Sequence, residues 1–232
     1  MGTGFRYEHH TTDGKDLTYL TLPLSKTLVF GSGRELTFRL PLEYRQVEEA
    51  TAYQAAIGMS YKTPIINQKW FLTPSVSYGA VGSIDLFAIA QIVSTSLTSN
   101  ILLLTGANSR YSISMANLIG YSKTLPIEYR DYNLSAERQN IITRNGILLS
   151  IPTRDKLSGK RLITDIFLID TRALGDSMYE DQYNEIGFSI RPQDFKKNKE
   201  STNFLVQRIG VGFKYFHSAV SSGWSFNVGY QF

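Results

Sequence analysis

The chain of 232 residues contains no cysteine. That absence removes disulfides, thiolate metal sites and cysteine nucleophiles. Histidine is nearly absent too, with His9, His10 and His217 the only three. A metal centre needs ligands that converge at defined spacing, and these three suggest none. No stretch approaches the roughly 18 apolar residues of a spanning helix. The richest run, "LFAIAQIV" from Leu86 to Val93, is short and carries Gln91. A helical membrane protein is therefore excluded. A membrane β-barrel is not, because its signal is alternation rather than bulk hydropathy. The opening "MGTGFRYEHH" lacks the apolar core of a signal peptide, so the chain reads as cytosolic or as a mature form with an added Met1.

Charge is modest. The net charge is +4 and no basic run exceeds three residues. Nucleic acid is not an expected partner, since a basic footprint should cluster on one face. Phosphate and metal motifs also fail. "GSGREL" lacks the third glycine and following helix of a dinucleotide loop, and "SGKR" at 158–161 lacks the upstream glycine of a phosphate loop. "DGKD" at 13–16 reads as a turn, because a calcium loop needs other acidic spacing and a bidentate Glu. No cofactor or metal is expected.

What is present is one rhythm, from about residue 16 onward. In Arg34–Val47 the even positions are Leu36, Phe38, Leu40, Leu42 and Tyr44, and the odd ones include Thr37, Arg39, Glu43 and Arg45. One face is apolar and the other polar, as a strand between two solvents requires. Thr51–Thr63, Lys69–Val81, Arg110–Ser122 and Asn203–His217 repeat the pattern. Asp85–Ser96, Asn145–Thr153 and Arg161–Thr171 are ambiguous, and Pro126–Gln139 is the weakest strand of the set. Short turns rich in Gly and Ser separate the segments. The count is about twelve antiparallel strands, in a single all-β domain over 16–232. Residues 1–15 are expected to form a periplasmic segment.

Alternation alone does not say which face is inside. Three features favour an apolar exterior over a soluble barrel. Rings recur at both ends of the apolar face: Tyr53 and Tyr61, Trp70 and Tyr78, Tyr111 and Tyr121. Eight residues span about 27 Å along a strand, or roughly 20 Å when tilted, near the ~25 Å band between aromatic girdles. The polar face mixes small residues with Arg and Glu, as a crowded lumen would. The segments are also long beside the five or six residues of an ordinary strand. The fold expected is a transmembrane antiparallel up-and-down β-barrel.

The last strand carries a resemblance. In "GWSFNVGYQF", Trp224, Phe226, Val228, Tyr230 and Phe232 alternate to the final residue. This resembles the recognition signal of Gram-negative outer-membrane β-barrels, whose assembly machinery reads the closing strand. It departs at Asn227, where such strands usually have Gly. Over residues 16–232 the rhythm is similar to the translocator barrel of autotransporters, in particular solitary forms without a passenger. No pore-spanning helix is visible before residue 16, where a conventional autotransporter has one. The resemblance implies a monomer in the outer membrane, contacting lipid bilayer and lipopolysaccharide and inserted by the assembly machinery. A non-enzymatic role follows.

Arg39, Glu43, Arg45, Arg110, Arg208 and Lys214 are then luminal candidates. Rings of charge select ions in pores. The same charges can instead pair and plug the lumen, and twelve strands lie between filled and open barrels. A passive channel for small, anionic solutes is the alternative function. An outer-membrane lipid-modifying enzyme is a further one, resting on His217–Ser218. Lipid hydrolases of that membrane use a Ser/His pair, but no orienting third residue is placed here. With the C-terminus periplasmic, "GSGR", "TPIINQ", "ALGDSMYED" and "SAVSSG" are expected outside. "EEA", "TLP", "DKLSG" and "RPQDFKKNKE" are expected in the periplasm. Leu97–Ser109, with its apolar "ILLL", is either an extension of neighbouring strands or an inward loop.

Overall fold

The computed structural model describes residues 4–66, 69–83, 85, 88–106, 110–129, 132–133, 137–157, 159–176, 181–192 and 210–229. The alternating segments fold as strands because each has one face for hydrocarbon and one for polar packing. They are β1 (Gly4–Thr12), β2 (Lys15–Val29), β3 (Glu35–Val47), β4 (Ala50–Ile66), β5 (Trp70–Ser83), β6 (Ala88–Thr105) and β7 (Ser112–Leu125). After these come the short β8 (Glu128–Tyr129) and β9 (Tyr132–Asn133). The rest are β10 (Gln139–Leu157), β11 (Lys160–Gly175), β12 (Gln182–Pro192), β13 (Gly210–Ser218) and β14 (Ser221–Gly229). Among the described residues the only helical element is the single turn Gly31–Gly33.

Every strand except β8 and β9 joins one closed antiparallel barrel, in the order β1-β14-β13-β12-β11-β10-β7-β6-β5-β4-β3-β2. Neighbours in sequence are neighbours in space, and β1 closes on β14 from Gly4↔Gly229 to Thr12↔Ser221. Closure removes the unpaired edges of a sheet. The strands are tilted and staggered. A row of directly opposed residues that starts at Thr11, one place from the end of β1, runs through Ser222, His217 and Asn184 and reaches Thr63, close to the opposite end of β4. Such a slope is what closing a barrel demands.

The faces are assigned by exposure. On β3 and β4, Phe38, Leu40, Leu42, Tyr53, Ile57, Met59 and Tyr61 are all exposed, while the intervening Thr37 and Ser60 are buried. The pattern recurs around the wall. Among the described residues the buried hydrophobic side chains are Ile163 and Phe216, whereas the buried polar ones include Thr171, Ser189, Ser225, Asp165 and Glu185. A water-soluble barrel would reverse this, because isolated apolar residues on a surface are ordinary but a continuous belt is not. The apolar face is the outside.

One rim carries both chain ends, Gly4 and Gly229, with the connections β2–β3, β4–β5, β6–β7, β10–β11 and β12–β13. The far rim carries the others. The tightest is at Asp13 and Gly14, whose φ values of 47° and 77° are both left-handed. Two such residues twist a hairpin in the sense the strands require.

Several expectations are corrected. Residues 1–15 are not a separate segment, since Gly4–Thr12 is a barrel strand. Pro126–Gln139 is not a barrel strand; its described part holds the β8–β9 hairpin, which pairs only with itself. One missed strand and one surplus strand leave the total at twelve but reverse the turns between them. "GSGR" at 31–34 and "TPIINQ" at 63–68 therefore belong to the rim of the chain ends, and "EEA" at 48–50 and "TLP" at 124–126 to the far rim. The "ILLL" stretch is settled as strand: β6 continues to Thr105, past a register shift between Leu102 and Leu104.

Candidate functional site

The lumen is built from the inward face of every barrel strand, and its two halves differ. One wall comprises β1 and β10–β14. There Lys214 Nζ lies 2.6 Å from Glu185 Oε1 and 3.1 Å from Glu8 Oε1. Arg144 donates to the other oxygen of Glu185. Glu185, with 1% of its side chain exposed, thus takes two cations at once. Below them Arg191 Nε donates to Asp165 Oδ2 at 2.6 Å, and Ser150 Oγ donates to Asp165 Oδ1 at 2.5 Å. Arg6 Nε donates to Asn227 Oδ1 at 2.9 Å. Buried charges are tolerated only when paired in this way.

The opposite wall, β5–β7, has no such charges on its inward positions. Ser75 and Ser77 on β5, Ser94, Ser96 and Thr98 on β6, and Ser114, Ala116 and Gly120 on β7 face the lumen. Hydroxyls there satisfy one another, as in the 2.7 Å contact of Ser75 Oγ with Ser96 Oγ. Between the two walls lies a cavity of about 550 Å³, with Arg6, Arg144, Arg191 and Lys214 on one side and Asn100 and Ser114 on the other. The cations at this cavity outnumber Glu8, Asp165 and Glu185 by one. The arrangement makes a polar, weakly cationic cavity whose β5–β7 side carries no inward charge.

The residues singled out from sequence fall into three groups. Arg39, Glu43, Arg45 and Lys214 point into the lumen. Arg45 bonds Glu43 and Gln54, each at 2.7 Å, and lies over the Tyr19 ring. Arg110 does not join them; it is exposed in the β6–β7 connection. Arg208, Tyr230 and Phe232 lie outside the described residues. Trp224, Phe226 and Val228 face outward, and Trp224 sits 5.3 Å from Tyr7 and 6.3 Å from Phe213. Tyr53 and Tyr121 are on the outer face towards the far rim, and Tyr61, Trp70 and Tyr111 towards the rim of the chain ends, with Tyr78 between them. Trp70 Nε1 is satisfied by Ser99 Oγ at 2.9 Å.

The histidines are rearranged. His9 and His10 are not frayed: His9 faces outward beside Trp224, and His10 faces inward between Tyr19 and Phe216. His217 and Ser218 cannot act together, because they lie on opposite faces of β13. Ser218 is buried and accepts the amide of Ser221 at 2.9 Å. No group of three or more potential metal ligands occurs among the described residues.

No family model matches the chain, and no curated protein does. Solved structures do match. The β domain of the Bordetella autotransporter BrkA superposes with a TM-score of 0.71 at 11% identity, over 100% of this chain and 98% of that one. The translocator domain of the autotransporter NalP from Neisseria meningitidis gives 0.69 at 14% identity, over 100% and 87%. The chain has the fold of an autotransporter translocator barrel. The KdgM porin also matches, with a TM-score of 0.55 at 13% identity over 99% of both chains. All are outer-membrane-type barrels, and at these identities they share the fold rather than an activity.

Sequence reading missed Arg6, Glu8, Arg144, Asp165, Glu185 and Arg191. The available signal was parity. Each sits on the inward beat of its strand, but the β10 and β11 segments carry polar residues on both beats.

Proposed function

We propose that this chain is an integral outer-membrane β-barrel whose lumen serves as a passage of the autotransporter translocator kind. The observation that carries the reading is the asymmetric lumen. Fixed charges are gathered on β1, β3 and β10–β14, which leaves β5–β7 without an inward charge and lined mostly with Ser, Thr, Gly and Ala. A smooth hydroxyl lane lets an extended polypeptide slide without meeting a buried charge. Gly4 stands at the same rim as Gly229, so a segment preceding Gly4 starts from that side. The lipid bilayer and lipopolysaccharide would cover the apolar belt, and the assembly machinery would read the closing strand.

The test is an epitope fused ahead of Met1. Antibody binding on intact cells is expected, because the epitope can reach the surface only through the lumen. An epitope that stays protected while the barrel is inserted and heat-modifiable would overturn the translocator reading.

The cluster of Arg6, Arg144, Arg191 and Lys214 around the cavity favours a second reading, a passive channel for small anionic solutes. Planar-bilayer recordings should then show steps with anion selectivity, and a silent bilayer removes it. We read the protein as non-enzymatic. His217→Ala should leave lipid profiles unchanged.

A further inference from the structure

The outer face is not uniformly apolar. On β3, β4 and β5 it runs unbroken through Leu36–Tyr44, Tyr53–Tyr61 and Val76–Tyr78 on the outward beat. On β7 and β10 it does not. Asn117 and Asn145 face outward and stand directly opposite each other. Asn117 lies between Met115 and Ile119, and Asn145 is followed two places on by the exposed Ile147. Four residues above Asn117 is Tyr121, and six below is Tyr111, both exposed rings. The amide pair is therefore inside the apolar band and not at its edge.

The next residue of the same row shows what a satisfied polar group looks like here. Asp170, opposite Asn145, accepts from Arg172 Nε and Gln182 Nε2, each at 2.9 Å. The two asparagines have no such partner: among the described residues, neither side chain makes a hydrogen bond. Hydrocarbon offers neither donor nor acceptor, so an unpaired amide in that band is unfavourable until another protein surface meets it.

We propose that this β7–β10 face is where two copies of the chain meet in the membrane, a proposal that rests on the outer-membrane reading above. An amide is donor and acceptor together, so it can pair with its own image. A two-fold axis through the patch would bring Asn117 and Asn145 of one copy against the same pair of the other, which is the self-complementarity an isologous dimer needs. The depth of the pair argues against lipid headgroups, which stay at the aromatic rings. Met115, Ile119 and Ile147 flank the pair along its strands, while the polar neighbours across the strands are already engaged: Ser99, opposite Asn117, accepts from Trp70 Nε1, and Asp170, opposite Asn145, holds Arg172 and Gln182. The proposal departs from the monomer that the resemblance implies.

The absence of cysteine makes the test clean. Asn145→Cys, Asn117→Cys and, as control, Ile57→Cys on β4, three strands from β7, are each inserted in outer membranes and oxidised with copper phenanthroline. A covalent dimer on non-reducing gels is expected for at least one asparagine position and not for position 57. In detergent, the wild type should sediment as a dimer and Asn117→Leu/Asn145→Leu as a monomer that keeps its heat-modifiable migration. No cross-link above the control would overturn the dimer. So would an unchanged sedimentation of the double variant, or a wild-type monomer carrying stoichiometric bound lipopolysaccharide. Loss of heat-modifiability in the wild type would instead overturn the membrane reading beneath it.

Discussion

The ring of Phe216 lies over Gly223, its direct partner across β13 and β14, so closely that a β-carbon on Gly223 would collide with it and with the backbone of His9. Phe216 is one of the few buried apolar side chains, 4% exposed, and it also contacts His10 at 4.1 Å between ring centroids. The glycine is required by space, since the ring fills the place its side chain would take. Phe167 and Gly187 repeat the arrangement across β11 and β12. Gly223→Val should therefore strain the seam by about 1–3 kcal/mol, the range for overpacking. The readout is the temperature or urea concentration at which the folded band is lost on gels. An unchanged midpoint would show that the ring and the β1 backbone at His9 both give way without cost.

Glu185 holds Lys214 and Arg144 together, and its removal leaves Arg144 without its carboxylate beside Lys214, which keeps only Glu8. Breaking a fully buried pair costs about 3–5 kcal/mol, and the partial exposure of Arg144 lowers that here to about 2 kcal/mol. Glu185→Gln should destabilise by that amount in urea titrations, and Glu185→Gln/Lys214→Met should recover part of it. If the double variant is as unstable as the single one, charge repulsion is not the cause.

These two sites also show where the sequence was readable. On β3 the even beat is wholly apolar from Leu36 to Tyr44, so its outward face and the inward Arg39, Glu43 and Arg45 could be read directly. On β10 and β11 the outward beat includes Asn145 and Asp170, and the inward beat includes Leu148 and Ile163. Such exceptions on both parities erase the alternation, and the inward Arg144 and Asp165 vanished with it. β1 was hidden for another reason. Its inward beat is Arg6, Glu8, His10, and its outward beat includes His9 and Thr11, so the segment reads as a polar tail. Only pairing with β2 and β14 makes it a strand, and pairing is not visible in one segment alone.

Asp85 gives a pH test in the far-rim turns. Its Oδ2 accepts from the Thr51 hydroxyl at 2.6 Å and from the Thr51 amide at 2.7 Å. These bonds, the hydroxyl first, favour the charged form and hold its carboxyl below the ordinary 3.8. A depressed folded value means the link is complete above pH 3.8 and is lost as pH falls through the lower, folded value. The Thr51 amide resonance should thus titrate with a midpoint under 3.8 and lose that transition in Asp85→Asn. A midpoint at or above the ordinary value would show that the contact does not form in the membrane.

The end of the chain gives a cellular prediction. The outward run Trp224, Phe226, Val228 continues in sequence to Tyr230 and Phe232. If the assembly machinery reads that beat, deletion of Phe232 should lower the inserted fraction several-fold in cells and leave refolding into detergent unchanged. Normal insertion in cells would remove the targeting role and leave the strand intact.

Topology is testable with single cysteines in the exposed turns, and it separates the observed turn order from the one the sequence suggests. Glu49 and Ala219 are at the far rim, and Arg34 is at the rim of the chain ends. With the chain ends periplasmic, a membrane-impermeant maleimide on intact cells should label Glu49→Cys and Ala219→Cys, and reach Arg34→Cys only after permeabilisation. Counting strands from residue 16 predicts the reverse for the first two turns, with Arg34 outside and Glu49 inside. The two orders differ by whether β1 is part of the wall. Labelling of Arg34→Cys together with Ala219→Cys would mean that β1 does not close the barrel, and the seam from Gly4 to Thr12 would fall with it.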